Sequence, residues 1–242
     1  MSDDFVSVLN DVLGPVMRGP SSSHTAASHR IGKIARDLLG ELPVSARFIF
    51  DPDGSYGKVY RQQGVDLALI SGILDRSITD DGFKNSLSTA RKLGIDVRFE
   101  LQALKNAIHP NTIDLFLEGH SGRKLEARAR STGGGLIQFD SVNGWPVVIT
   151  GKSHHCLIRI QKQDLPILRD TLEAVFPSVW TYQTGDGAIL AHIQSATPFP
   201  ADFEDRIRRD VADPDIRTCP PVFYPQHGEP IFRTGGDMVH YA

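Results

Sequence analysis

Apolar positions along the chain change period repeatedly, and each change marks a switch between helix and strand. Phe5, Leu9, Val12 and Leu13 fall on one face of a short helix that Ser2 or Asp3 would cap and Gly14-Pro15 would stop. Ile31, Ile34, Ala35, Leu38 and Leu39 then recur at helical spacing, which predicts a helix starting between Ser23 and Thr25 with a Ser or Thr cap. Val44, Ala46, Phe48 and Phe50 alternate as a half-buried strand that ends at the turn Asp51-Pro52-Asp53-Gly54. Val65, Ala68, Leu69, Gly72 and Ile73 predict a further helix, and Asp80 to Leu93 another, stopped by Gly94.

From Val97 the period becomes two. Val97, Phe99 and Leu101, then Ile113, Leu115 and Leu117, then Leu125, Ala127 and Ala129, then Ile137 and Phe139 read as strands, with turns at 118–122 and at Asn143-Gly144. Helices on one face of a largely antiparallel sheet make this an α+β fold. A second unit follows. Cys156 to Ile160 is a strand, and Asp164-Leu165-Pro166 opens a helix carrying Leu165, Leu168, Leu172, Val175 and Phe176. Val179 to Tyr182 and Ala188 to Ile193 form a hairpin across Gly185-Asp186-Gly187, Phe203 to Val211 is a helix, and Ile216 to Phe223 a last strand. That order, βαββαβ, is ferredoxin-like. The expected division is 1–151, 152–225, and a tail 226–242 that docks on a partner or on its own chain.

Composition narrows the field. The 242 residues carry a net charge of -3, which gives no reason to expect a nucleic-acid partner. The N-terminal segment is acidic and amphipathic, unlike a signal peptide, and no stretch is apolar enough to span a membrane. The two cysteines, Cys156 and Cys219, match no zinc or redox spacing, so a reducing, cytoplasmic setting is expected. No dinucleotide-binding fingerprint occurs.

The candidate chemistry centres on Gly19-Pro20-Ser21-Ser22-Ser23-His24-Thr25, where a breaker and a run of polar side chains precede a helix. Unpaired N–H groups at a helix start favour a carboxylate or phosphate, and Ser21, Ser22, Ser23 and Thr25 add hydroxyl donors. A capping turn with surplus serines is the plainer alternative. Gly133-Gly134-Gly135 after Ser131-Thr132 is either a second anion cradle or a flexible bulge. Asn111 is a turn former or a ligand for an amino or hydroxyl group. His24 is suited to proton transfer near neutral pH or to orienting the serines. His154 and His155 point to opposite faces of a strand and cannot chelate one ion together. Asp51 and Asp53 are turn formers, since no glutamate completes a calcium loop. No metal site is expected on this chain.

The serine run opening a helix resembles the β part of iron-sulfur L-serine dehydratases, or L-serine ammonia-lyases. Gly54-Ser55-Tyr56, Gly64-Val65-Asp66, His109-Pro110-Asn111-Thr112, Ser131-Thr132-Gly133-Gly134-Gly135 and Asn143-Gly144 match the family in the same order, up to about Gly151. The resemblance implies an N-terminal domain akin to the allosteric substrate-binding domain of some phosphoglycerate dehydrogenases, and a second unit similar to an ACT domain. The usual Asp-x-Pro-Gly of that module is here Asp164-Leu165-Pro166-Ile167, which favours a structural or dimerising use over amino-acid sensing.

The same resemblance implies loss of the α-proton and β-hydroxyl of serine, then tautomerisation and hydrolysis to pyruvate and ammonia, with cluster iron as the Lewis acid. A 4Fe-4S cluster needs three or four thiolates, so it belongs to a cysteine-bearing α subunit, and this chain is half of a hetero-oligomer such as a dimer of heterodimers. Ser21, Ser22, Ser23, Thr25, Asn111, Ser131, Thr132, Gly133, Gly134 and Gly135 would bind substrate, with His24 and His109 as catalytic candidates. Family members carry a Gly-Lys-Gly-His-Gly-Thr-Asp type run whose histidine is a candidate base. Gln63 stands in its place, and a carboxamide cannot accept a proton at neutral pH. Either His24, His109 or a partner residue supplies the base, or the substrate is another small β-hydroxy acid. A non-catalytic, amino-acid-binding regulatory protein is the second reading.

Overall fold

A computed structural model describes residues 17–173, 180–185 and 187–223. The expected helix at Phe5 to Leu13, the positions Val175, Phe176, Val179 and Asp186, and the tail 226–242 lie outside them. The apolar alternation read from the sequence builds most of the first sheet. Ala46, Phe48 and Phe50 are fully buried on β1 (Pro43–Phe50), as are Ile113 and Leu115 on β3 (Thr112–Gly119) and Ala129 on β4 (Lys124–Gly133). With β2 (Asp96–Leu101), β5 (Leu136–Val142) and β6 (Trp145–Ile149) they form six strands in the order β2-β1-β3-β4-β5-β6. Only the β1–β2 pair is parallel; every other pair is antiparallel. Asn143 and Gly144 both take positive φ, as a tight hairpin turn requires.

Helix α1 (Ala27–Leu39) packs on β3, β4 and β5, and α3 (Val65–Ile73) packs on α1. They cross closely because Gly32 faces the Leu69 carbonyl and Gly72 the His29 carbonyl, where a Cβ would collide with backbone. Gly40, in the left-handed region, ends α1. Three local expectations are corrected. The serine run does not open directly into an α-helix: Ser21 is the N-cap of a π-helical turn, Ser22–Ala26, and α1 begins only at Ala27. The expected helix over Asp80 to Leu93 splits into a 3-10 turn, Asp81–Asn85, and a short α4 (Ser86–Lys92). Asp80, whose side chain accepts the Gly82 N–H, makes the tighter turn the local solution. A short helix α2 (Ser55–Val59) fills what reads as a loop.

The second sheet joins β7 (His154–Gln161), β8 (Trp180–Thr184), β9 (Ala188–Ser195) and β10 (Asp215–Cys219) in the antiparallel order β10-β7-β9-β8. With α5 (Leu165–Glu173) after β7 and α6 (Phe203–Asp210) after β9, this is the ferredoxin-like arrangement that the element order predicts. Cys156, Ile158, Ile160, Leu168, Ile189 and Ile207 lie in the core between sheet and helices. The last strand is shorter than expected and stops at Cys219, because Pro220 and Pro221 cannot donate to a ladder. Its opposite face meets α1, where Arg217 Nη1 donates to the Leu38 carbonyl at 3.2 Å. Arg123, in the β3–β4 turn, pairs with Asp215 at 2.9 Å and donates to the Ile216 carbonyl.

Candidate functional site

The five polar residues after Pro20 are held by their own first member. Ser21 Oγ accepts the His24 N–H at 3.2 Å, and the Ser21 carbonyl accepts the N–H groups of Thr25 at 2.8 Å and Ala26 at 3.3 Å. Those backbone donors, expected to face an anion, are therefore satisfied inside the turn. The hydroxyls of Ser22 and Ser23 have no hydrogen-bond partner among the described residues and remain available. Thr25 is buried and donates from Oγ1 to the Gln63 carbonyl at 2.7 Å, which fastens the turn to the segment where the family histidine is replaced.

Helix α2 supplies the other wall. His24 sits between two hydroxyls, with Nδ1 at 3.1 Å from Ser21 Oγ and Nε2 at 3.0 Å from Ser55 Oγ. The next residue, Tyr56, packs edge-on against the imidazole with ring centroids 5.4 Å apart. Its phenol donates to the Ser23 carbonyl at 3.1 Å and accepts from Ser28 Oγ at 3.3 Å. Burial pushes that phenol up to about 12, so it is a fixed neutral strut. Burial also lowers the His24 pKa, opposed by the Ser55 carbonyl beside the ring, so His24 is neutral and able to accept a proton at pH 7.

The remaining motifs converge on the same wall. The Pro110 carbonyl accepts the Ser55 N–H at 2.8 Å, and the Asn111 carbonyl accepts the Ser131 N–H at 3.2 Å. His109 Nδ1 accepts the Asn111 N–H at 3.1 Å, which occupies the nitrogen lone pair on that side and gives His109 a structural task. Asn111 and Ser131 are buried; the Ser131 hydroxyl lies against the Tyr56 phenol, whereas Asn111 Oδ1 completes no hydrogen bond. A buried polar atom without a partner is uncommon and costly, which makes Asn111 Oδ1 a candidate ligand contact.

Gly133, Gly134 and Gly135 all take positive φ, +103°, +58° and +81°, a run that side chains would strain. The Gly135 carbonyl is held by buried Arg30 from α1, so the loop is tied to the helix that the serine turn precedes. Thr132 points to solvent. Arg30, Ser55 and Tyr56 are the partners that the sequence reading did not include among site residues. Ser55 and Tyr56 lay within a quoted motif, which was the available signal; for Arg30, separated from Gly135 by 105 residues, there was none.

No group of three or more His, Cys, Asp or Glu side chains fit to hold a metal occurs among the described residues. Cys156 and Cys219 are buried, and burial pushes both thiols up, away from the thiolate form. A cavity of about 600 Å³ lies on the other side of the first sheet, lined by Arg47, Arg98, Glu118, Lys124 and Glu126. Its charges are largely matched, as in Arg47–Glu100 at 3.4 Å and Lys124–Glu118 at 3.7 Å, and of the quoted motifs Asn143 alone lines it. The chemistry is on the helical side.

No family model matches the chain. Two curated relatives do resemble it. One, from Bacillus subtilis (strain 168), is named "Probable L-serine dehydratase, beta chain" and is 38% identical over 148 residues, 61% of this chain and 66% of that protein. The other, from Peptoniphilus asaccharolyticus, is named "L-serine dehydratase, beta chain" and is 29% identical over 153 residues, 63% of this chain and 68% of that protein. The alignments thus span about two thirds of the length of each relative. With most of the quoted motifs meeting at the serine turn and these likenesses beside them, the chain belongs to the family of L-serine dehydratase β chains.

Proposed function

We propose that this chain is the β subunit of a two-chain L-serine dehydratase, turning L-serine into pyruvate and ammonia at an interface with a cysteine-bearing α subunit. The name "beta chain" carried by both relatives supports a second polypeptide. The 4Fe-4S cluster that such enzymes imply does not fit the residues of this chain, whose two cysteines are buried and apart from the serine turn, so its ligands are assigned to the partner. Within this chain, Ser22 and Ser23 hydroxyls bind the substrate carboxylate, aided by the positive end of the turn and of α1. Asn111 Oδ1 accepts from the ammonium group, and Ser131 Oγ orients it. His24 is the proton acceptor in place of the family histidine that Gln63 replaces. Residues 152–225 serve as an ACT-like structural or dimerising module.

The His24 network, with buried Asn111 Oδ1 left without a hydrogen-bond partner, is the observation that carries this reading. The test is anaerobic co-expression with a cysteine-rich neighbouring gene product. A brown complex that releases pyruvate from L-serine is expected. Gln63 favours a second reading, an amino-acid-binding regulatory protein that has lost the chemistry. Binding of L-serine by the isolated chain, with no lyase activity in any reconstituted complex, decides for that alternative.

A further inference from the structure

We propose that His24 exchanges protons with the substrate through the hydroxyl of Ser21, and that Ser55 is the positioning residue that holds the far side of the imidazole. This rests on the lyase reading above. Both ring nitrogens are within hydrogen-bond distance of a serine hydroxyl, Nδ1 of Ser21 and Nε2 of Ser55, and Tyr56 closes the ring edge-on. A substrate proton therefore meets a hydroxyl before it meets the imidazole.

The direction of the relay follows from what Ser21 already does. Its N–H reaches Thr25 Oγ1 at 3.4 Å, its carbonyl takes two turn N–H groups, and its Oγ accepts the His24 N–H. Every polar group of Ser21 is thus engaged from within the turn, so the rotamer is set before substrate arrives. With one oxygen lone pair on the His24 N–H, the Ser21 hydroxyl proton is free to lie on Nδ1 while the second lone pair faces outward. On the far side, the Ser55 hydroxyl lies 3.0 Å from Nε2. The proposed tautomer carries hydrogen on Nε2, donated to Ser55 Oγ, and leaves the Nδ1 lone pair for Ser21.

In the reaction, Ser21 Oγ takes the substrate α-proton as its own proton passes to Nδ1, and the ring becomes imidazolium. The electron pair of the broken C–H bond forms the Cα=Cβ bond as the β-hydroxyl departs with its electrons. The proton then returns along the same path to the departed hydroxide, completing water. Ser55 stabilises the imidazolium by accepting Nε2–H, as the third member of a triad does for its histidine. The titratable side chain packed on the ring is the Tyr56 phenol, neutral throughout.

The experiment is nitrogen-15 NMR of the full chain labelled at histidine, titrated across neutral pH, for wild type, Ser55→Ala and Ser55→Thr. Wild type is expected to carry hydrogen on Nε2 of His24. Ser55→Ala should lower the His24 pKa by about one unit, the worth of one hydrogen bond to a charged group, and Ser55→Thr should restore it. In the reconstituted complex, the acidic limb of the kcat profile should move with the same sign. Hydrogen on Nδ1 in wild type, or an unchanged His24 pKa in Ser55→Ala, overturns the inference. The NMR results do not depend on turnover, so a wild-type complex lacking lyase activity counts against the proposed function alone.

Discussion

At the scale of single residues, the serine turn separates side chains that build the site from those that serve it. Ser21, Thr25 and Tyr56 hold the turn's shape through hydrogen bonds to its backbone or to Gln63. Ser22 has no such tie among the described residues, so its hydroxyl is free for a ligand. Ser22→Ala should therefore leave the urea midpoint within about 0.5 kcal/mol of wild type while lowering lyase turnover about a hundredfold, as loss of one oriented donor does. His24→Ala should also remain folded and lose turnover. Wild-type rates in either variant would remove that residue from the site. Gln63 meets Thr25 through its backbone carbonyl alone, so Gln63→His tests the missing histidine without touching the turn's anchor.

At the scale of elements, the α1–α3 crossing is the tightest constraint. Gly72 faces the His29 carbonyl and the Lys33 amide, both main-chain groups that cannot rotate away. Gly72→Ala should cost about 3 kcal/mol, the upper range for overpacking, read as a fall in the urea midpoint. A neutral effect would show that the helices part easily. Elements with long alternation or helical periodicity, such as Ala46-Phe48-Phe50 and Ile31 to Leu39, were legible in the sequence because burial on one face writes its period into the residues. Helix α2 and strand β6 were not. Each spans five residues, too few for a period to show, and Pro146 reads against a strand. The π-helical turn was equally hidden, since Ser55 and Tyr56 shape it from more than 30 residues away. In the site, the serine run and the ordered motifs were legible as candidates. The hydrogen bonds that turn those motifs into one surface depend on the fold.

At the scale of the whole molecule, the buried histidines set the acid limit. His29 donates to the Arg76 carbonyl at 2.9 Å, and burial, aided by nearby Arg30, Lys33 and Arg18, lowers its pKa to about 4. His155 lies 2.9 Å from His192, and burial lowers it to about 4 as well. Between pH 6.5 and 4 the unfolded chain binds protons at these two sites that the folded chain refuses, so stability falls as pH falls. Asp37 acts oppositely. Burial raises its carboxyl to about 6, so the folded state takes up its proton first and gains stability below that pH. Two histidines outweigh one aspartate, and a net loss on the order of 3 kcal/mol is expected between pH 7 and pH 4. Urea midpoints measured at both pH values decide it; a midpoint that holds or rises at pH 4 would show that the histidines are readily solvated.

Helix α1 follows directly on the serine turn and ends with its Leu38 carbonyl under Arg217 of the second sheet. Thirteen residues at about 1.5 Å each make a rod of roughly 20 Å. Gly32 presses that rod onto α3, where its missing Cβ lets the Leu69 main chain lock the crossing in place. The serine turn and the Arg217 contact with the second sheet therefore stand at opposite ends of one unbroken helix.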